Sequence, residues 1–413
     1  MTQILRLEKF AEVGAGNSAP QNEELFKGGS LPFIRTSDVG AIHIGSIETS
    51  RDLLTPEGAK RLKLQPPGTI LFPKSGASTF LNHRVILNKP AYVSSHLATI
   101  KANNDLALDF YLFHFLQTIN AQDLCQDQAY PSLNRDQIAG IEVPLPNLEK
   151  QREIVEKLDT AFAEIDLVEE NLRLSDEKVN QLLQSILSSS LNLSVIDSEL
   201  SNPPANQKVD FKLVKLSEVC LFNPPKSEAR RTLNSDDLVS FMPMQDLGIQ
   251  SINAEASSSK PLSEVIKAYT YFAENDVLVA KITPCFENGK MGIARNLVNG
   301  IGFGSSEYFV LRSTNSILSE YLYYFLRQGF VIDNGRDIMT GAVGHRRVPG
   351  EYFESLEILL PSLEKQQEIV RKLDSAFAEI EILKAQINIK RDYTTALRQS
   401  LLNSAFTQEE AFA

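Results

Sequence analysis

Tryptophan is absent from the 413 residues, cysteine occurs three times and histidine five times. Cys125, Cys220 and Cys285 lie far apart with no CxxC pair, which argues against a disulfide framework and a zinc ribbon. His43, His83, His96, His114 and His345 are equally scattered and form no HxxxH pair, so the sequence offers no metal cluster. No run of about 18 apolar residues occurs, and the N-terminus MTQILRLEKF has no long apolar core. The expectation is a cytoplasmic protein without membrane contact. A basic excess is also missing: 41 Lys and Arg stand against 52 Asp and Glu, a net charge of −11, which at first speaks against a nucleic-acid partner. The chain is nevertheless 43% hydrophobic, which excludes wholesale disorder. Its length suits two to three domains of roughly 100–200 residues each.

What the chain has instead is a repeat. Residues 146–165, PNLEKQREIVEKLDTAFAEI, return at 361–380 as PSLEKQQEIVRKLDSAFAEI, 215 positions later with 16 of 20 residues identical. Self-similarity on this scale means an internal duplication. Weaker echoes precede each copy. FIRTSDVG (33–40) parallels FMPMQDLG (241–248), GTILFPKSG (68–76) parallels NDVLVAKIT (275–283), and YLFHFL (111–116) parallels YLYYFL (321–326). Each half is therefore a diverged globular segment followed by a well-preserved one.

The preserved segments read as long helices. Apolar residues at Ile154, Leu158, Ala161, Ile165, Val168, Leu172, Val179, Leu182 and Ile186 step by four and three, broken at Ser175. The second copy supplies Ile369, Leu373, Ala376, Ile380, Leu383, Ile387, Leu397 and Leu401, interrupted by Lys390 and Thr394. This is a heptad seam, the pattern of a coiled coil. Either each helix packs on its own domain or, the favoured reading, the two pair as an antiparallel rod; about 40 residues span about 60 Å. Pro146 and Pro361 suit helix starts. Residues 188–208, rich in Ser, Asn and Pro, read as a loop.

The globular segments read as α+β. Short β-like runs occur at Leu31–Ile34, Thr69–Phe72, Ala91–Val93, Val277–Val279 and Tyr308–Leu311, with helices near 106–119 and 316–328. Catalytic patterns fail on inspection. Asn223-Pro224-Pro225-Lys226 and Asn202-Pro203-Pro204-Ala205 resemble the Asn-Pro-Pro-aromatic element of adenine methyltransferases but lack the aromatic that would stack on a flipped base. Gly14-Ala15-Gly16 lacks the strand–helix context of a cofactor loop, and Gly289-Lys290 lacks the upstream glycine of a phosphate loop. There is no nucleophile–base motif, so the chain by itself is read as non-enzymatic.

Binding chemistry is better represented. In the first segment Lys74 and Ser75 sit in a polar loop after a strand, and Arg35, Thr36, His83 and Arg84 add donors. In the second, Lys281, Thr283, Asn288 and Lys290 occupy the comparable stretch, with Gln245 as a further candidate and His345-Arg346-Arg347 as the densest basic cluster. Such side chains hold phosphates and read base edges, arginine on guanine and glutamine or asparagine on adenine. Charge is also unevenly distributed. Residues 1–140 hold 13 basic and 13 acidic side chains, 141–200 hold 5 and 13, 201–355 hold 16 and 17, and 356–413 hold 7 and 9. The acid belongs to the helical segments, and the globular halves are balanced.

On the two copies of LPxLEKQxEIVxKLDxAFAEI (145–165 and 360–380), and on Leu216–Val219, residues 282–290 and the Gly68–Ser75 run, the chain resembles the specificity subunit of type I restriction-modification systems over essentially its whole length. Tryptophan, common near the start of such domains, is replaced by nearby Phe10 and Phe211. The resemblance implies two target-recognition domains, 1–140 and 211–355, a central helix over 141–195, a linker over 196–210 and a C-terminal helix over 356–413, with pseudo-two-fold symmetry. It implies double-stranded DNA with a bipartite target, two modification (methyltransferase) subunits docked on the helices, and restriction (translocase-nuclease) subunits. It implies no cofactor or metal on this chain, S-adenosylmethionine and ATP with Mg belonging to the partners. The competing readings are a specificity subunit of a related methyltransferase–nuclease without a translocating partner, a coiled-coil adaptor that binds proteins, and a self-contained methyltransferase, the last disfavoured by the missing cofactor loop.

Overall fold

The computed structural model describes residues 2–125, 132–191, 211–249, 251–342 and 344–407. The chain divides into two compact units, Met1–Arg173 with Asn388–Ala413, and Leu174–Ile387.

In the first unit a five-stranded sheet runs in the order Ala11–Ala15, Leu97–Ala102, Ile70–Pro73, Arg84–Leu87, Ile44–Ile47. All its pairings are antiparallel except the last, which is parallel. The central strand Ile70–Pro73 is buried at every residue, as a continuous apolar run in a covered sheet should be. A smaller sheet joins Leu31–Ile34 antiparallel to Leu53–Leu54 and parallel to Tyr92–Val93. Gln3–Arg6 pairs with Glu142–Leu145, the strand that leads into the first long helix.

The second unit repeats this plan. Its five strands follow the order Cys220–Phe222, Tyr308–Ser313, Val277–Ala280, Met291–Ala294, Asn253–Ala254, again with only the last pairing parallel. Leu238–Met242 pairs antiparallel to Ser258–Pro261 and parallel to Ile301–Gly304, which also takes Thr270–Ala273. Lys212–Lys215 pairs with Glu357–Leu360 ahead of the second long helix. The faint sequence echoes thus mark one topology built twice. The expected strands fall within one or two residues of those observed, and the expected helices shorten to Asp109–Gln117 and Ser319–Leu326. Asn223 makes a turn, its backbone N–H and side-chain oxygen both bonding Val310; the Asn202–Ala205 stretch lies outside the described residues. Gly14 and Ala15 end an edge strand, and a side chain at Gly16 would strike the Val93 carbonyl, so these glycines serve close packing.

The long helices span Leu148–Leu191 and Leu363–Phe406, 44 residues each. Residues 188–191, expected in a loop, are helical; 192–210, which hold the rest of that stretch and the expected 196–210 linker, lie outside the described residues. In the first unit Ile154, Leu158, Phe162 and Ile165 pack with Leu112, Tyr111 and Phe115 of the globular helix and with Leu402 and Ala405 of the other long helix. Residues 154–165 share a core with Leu402 and Ala405, with Arg398 over Phe162 and bonded to Asp166, whereas residues 183–191 share one with Ile369, Leu373 and Ile380, so the pairing is antiparallel. In the second unit Leu183, Leu187 and Leu191 share a core with Ile369, Leu373 and Ile380 and with Tyr321, Tyr324 and Phe325. Each helix thus packs both on its own domain and on its partner helix.

One correction concerns the seam. Val168 and Leu383, expected inside it, are 44% and 42% exposed, and Leu182 and Leu397 also face solvent. The rest of the seam keeps the expected seven-residue spacing: Gln151, Leu158, Ile165 and Leu172 are all buried, as are Gln366, Leu373, Ile380, Ile387 and Thr394. Ala161 and Ala376 are half-buried, and Ile154, Leu158, Ile165, Leu172, Ile369, Leu373, Ile380 and Ile387 are buried as expected.

Where each globular fold meets its helix sits a fully buried glutamine. The Oε1 of Gln151 accepts from Leu108 N–H (2.8 Å), while Nε2 donates to the carbonyls of Leu106 (3.0 Å) and Pro146 (2.8 Å). Gln366 makes the matching set, to Leu318 N–H, Ser316 O and Pro361 O, each at 2.9 Å. Tyr111 and Tyr321 add hydroxyl bonds to the carbonyls of Pro144 and Leu359. Among the described residues no helix is long and apolar enough to cross a membrane. Replacing either glutamine by leucine keeps the volume but orphans three buried backbone groups, at about 1–3 kcal/mol for each group left unsatisfied. Denaturant unfolding of Gln151→Leu and Gln366→Leu should show large and similar losses; a loss below about 0.5 kcal/mol in either would refute the clamp.

Candidate nucleic-acid interface

In both units the central strand ends in a polar loop that the returning chain clamps from the side. In the second unit this loop is 281–290. Ile282 pairs with Arg347, which also pairs with Thr340. Thr283 N–H donates to Arg346 O, Val348 N–H to Lys281 O and Lys281 N–H to Glu307 O, each at 2.9 Å. The loop folds back through Asn288 N–H to Pro284 O and Lys290 N–H to Cys285 O. Lys290 Nζ reaches Met244 O at 3.1 Å, beside the exposed Gln245. All eight residues expected to act here (Gln245, Lys281, Thr283, Asn288, Lys290, His345, Arg346 and Arg347) are thereby tied to one platform.

Their electrostatic states differ. Arg347 grips Glu307 bidentately at 2.6 and 2.9 Å and bonds the carbonyl of His345. That hydrogen bond, with the charges of Arg347, Lys281 and His345, holds the Glu307 carboxyl below its ordinary range despite partial burial. Arg346 makes one 3.2 Å bond to Glu287 and remains 41% exposed. An arginine steadied at one edge keeps donors for a base or a phosphate, whereas Arg347 is committed to holding the loop.

The first unit builds the same device from other side chains. Lys74 N–H donates to His96 O (3.1 Å), Leu133 N–H to Lys74 O (2.8 Å), and Ser75 pairs with Ser132. Ser75 Oγ and His96 Nδ1 lie 2.8 Å apart. His96, exposed on this platform, escaped the sequence reading because its partner Ser75 is 21 positions away. Thr36 opens the helix Thr36–Ile42, and Arg35 just before it is a strut: its guanidinium bonds Asp52 and lies over Phe26 and Phe33. His83 stacks on His43 with centroids 4.5 Å apart. Burial, then the charges of His43 and Arg84, keep its imidazole below its usual pKa, so at neutral pH it carries no charge toward a phosphate.

Arg84 is the clear correction. Expected as a surface donor, it is fully buried, lies 3.4 Å from the Phe72 ring centroid, and donates to the carbonyls of Leu116, His83 and Ile119. Burial pulls its pKa down to about 9, still protonated at neutral pH. Two of these carbonyls lie at and just past the C-terminus of helix Asp109–Gln117, where a cation is favoured. The residue pins that helix to the sheet.

The chain matches the family described as Type I restriction modification DNA specificity domain over residues 2–174 and 208–391. It is 32% identical over 202 residues to the EcoEI specificity subunit of Escherichia coli, covering 49% of this chain and 33% of that one. It is 22% identical over 393 residues to the StySPI specificity subunit of Salmonella potsdam, covering 92% and 82%. The alignment thus spans about a third of EcoEI but most of StySPI. Two solved structures share the fold. One, described as the structural basis underlying complex assembly and conformational transition of the type I R-M system, has a TM-score of 0.72 at 19% identity, covering 98% of both chains. The other, the HsdS subunit from Thermoanaerobacter tengcongensis, has a TM-score of 0.51 at 19% identity, covering 98% and 96%.

Strut and contact separate by substitution. Arg84→Ala orphans three carbonyls and opens a cavity, and should cost about 2–5 kcal/mol. Lys74→Ala and Arg346→Ala should shift stability by no more than about 0.5 kcal/mol while weakening duplex DNA binding. Urea unfolding and a fluorescence-anisotropy titration check the two arms; a DNA effect without stability loss at Arg84 would reverse the assignment.

Proposed function

The chain belongs to the family of type I restriction-modification DNA specificity domains, and on that premise we propose that it is the sequence-reading subunit of such a system. Each loop platform reads one half of a bipartite target in double-stranded DNA, and the paired long helices set the distance between the halves. The observation that carries this is a contrast within one duplication. The five-stranded sheet and the loop clamp have the same plan in both units, and the helical segment keeps 16 of 20 residues. The side chains on the platforms nevertheless differ: Lys74, Ser75 and His96 in one, Lys281, Lys290 and Arg346 in the other. A scaffold kept while its presented chemistry changes suits two readers of different half-sites, since base identity is read by a few side chains at the groove edge. Joining two modest readers makes the second contact intramolecular and raises affinity without new contacts.

The helices carry nearly all of the excess acid, which suits protein partners more than phosphate. In this reading they dock two modification subunits that bind S-adenosylmethionine and methylate adenine, and restriction subunits add ATP- and Mg-dependent translocation and cleavage. This chain recognises and does not catalyse, and it works in the cytoplasm.

Methylome sequencing of cells expressing the chain with its modification partner should return one bipartite motif with dissimilar halves. Inserting four residues after Leu172 lengthens the helix by about 6 Å and should change the spacer while leaving both halves intact. An unchanged spacer, or altered halves, would count against the helices as a ruler.

A further inference from the structure

Each unit carries a cleft beside its preserved helix, and the two are built from equivalent positions. In the first unit a cleft of about 660 Å³ opens between the globular helix and residues 159–169. In the second, one of about 500 Å³ opens between the matching helix and residues 374–381. Asp159, Phe162 and Ala163 line the first, and Asp374, Phe377 and Ala378, their repeat partners 215 positions on, line the second. The aspartates are engaged alike: Asp159 lies 2.9 Å from His114 Nε2, and Asp374 accepts from the Tyr324 hydroxyl at 2.6 Å. Ala163 and Ala378 are exposed, so packing does not explain their identity.

Two further features agree between the clefts. Each is acidic: the first sets Asp159, Asp166 and Glu169 against Arg398, the second Glu320, Asp374 and Glu381 against Arg295. Burial outweighs the pull of Asp159 and holds the His114 pKa below its usual value, so the imidazole does not offset that acid at neutral pH. Each also borders a buried acceptor with no hydrogen-bond partner, Gln117 Oε1 in the first and the Tyr323 hydroxyl in the second. Gln117 is 9% exposed and Tyr323 0%. A buried polar atom left unpaired destabilises the fold, and its recurrence at both clefts is not accounted for by the fold.

From these features we propose that each cleft is a socket for one lysine or arginine side chain on a modification subunit, the same segment of two copies entering the two clefts. The acid and the aromatic floor favour a cation with an apolar stem, and its donors supply what Gln117 and Tyr323 lack once the lining shifts to admit it. The acid also turns away phosphate, which separates these sockets from the DNA platforms. The inference rests on the docking role proposed above and adds where docking occurs and by what chemistry.

The test uses the full chain co-purified with its modification subunit, with subunits counted by native mass spectrometry. Ala163→Arg and Ala378→Arg should each leave one modification subunit bound, and the double variant none, with at least about a tenfold loss of affinity per site. Tyr323→Phe removes only the unpaired hydroxyl: the free chain should be as stable as before or more so, and the second site should weaken. Single arginine variants that still bind two subunits at undiminished affinity would overturn the sockets, as would a Tyr323→Phe variant with unchanged affinity. If the unaltered chain binds no modification subunit, the docking role itself fails, and the sockets with it.

Discussion

A primary amide offers one acceptor and two donors, and Gln151 and Gln366 spend all three on backbone groups where a globular fold becomes a long helix. The groups they satisfy lie just before a globular helix and just before the long helix itself, so each amide fixes the angle between the two. Both sit on the first turn of the long helix, where backbone N–H groups lack intrahelical partners; Asn147 and Ser362 cap that turn through Lys150 and Lys365. A loose joint would let the reading loops wander relative to the helix. Three buried hydrogen bonds at the joint make that motion costly, and the identity of this residue in both copies follows from the task.

Beyond the joint the structure separates what is held from what is presented. The central strands and their clamped loops recur in both units with the same pairing, because backbone hydrogen bonds do the clamping and are indifferent to side chain. This leaves the side chains on the loops free to differ. Arg347 and Glu307 brace one loop as an ion pair, whereas Ser75 and His96 brace the other through a hydroxyl–imidazole contact. The same backbone device thus tolerates different side chains, which a pair of readers with unlike targets requires.

How far this was legible in the sequence depended on the range of the interaction. The duplication, the α+β character, the main strands and both long helices follow from local pattern and were readable, whereas the gathering of Arg346 with Lys281 and Lys290 is a product of the fold. The helical seam was legible as a seven-residue spacing, whereas the exposure of Val168, Leu182, Leu383 and Leu397 was not, since it depends on which flank of each helix the domains cover. Arg84 was misread because nothing local shows that the carbonyls of Leu116 and Ile119, more than 30 positions away, close around it. Gln151 and Gln366 were visible as a repeated letter, but their partners lie 43 and 48 positions off. The clefts were invisible for the same reason: Asp159 meets His114, and Asp374 meets Tyr324, only through the tertiary fold.

That last pair sharpens the meaning of the duplication. His114 and Tyr324 differ in chemistry, yet each donates a hydrogen bond to the same aspartate of the repeat. The globular side of the contact has drifted, and the helical side has not. If the aspartate served only to hold the globular helix, it could have drifted with its partner, as Phe113 and Tyr323 have beside it. Both aspartates instead keep an exposed flank in an acidic cleft next to an exposed alanine that is also unchanged. Constraint acting on the solvent side of a residue, and not on its buried contact, is the signature of a surface that something else must fit. In this chain that signature falls on the acidic helices, whereas the freedom to vary falls on the charge-balanced loops.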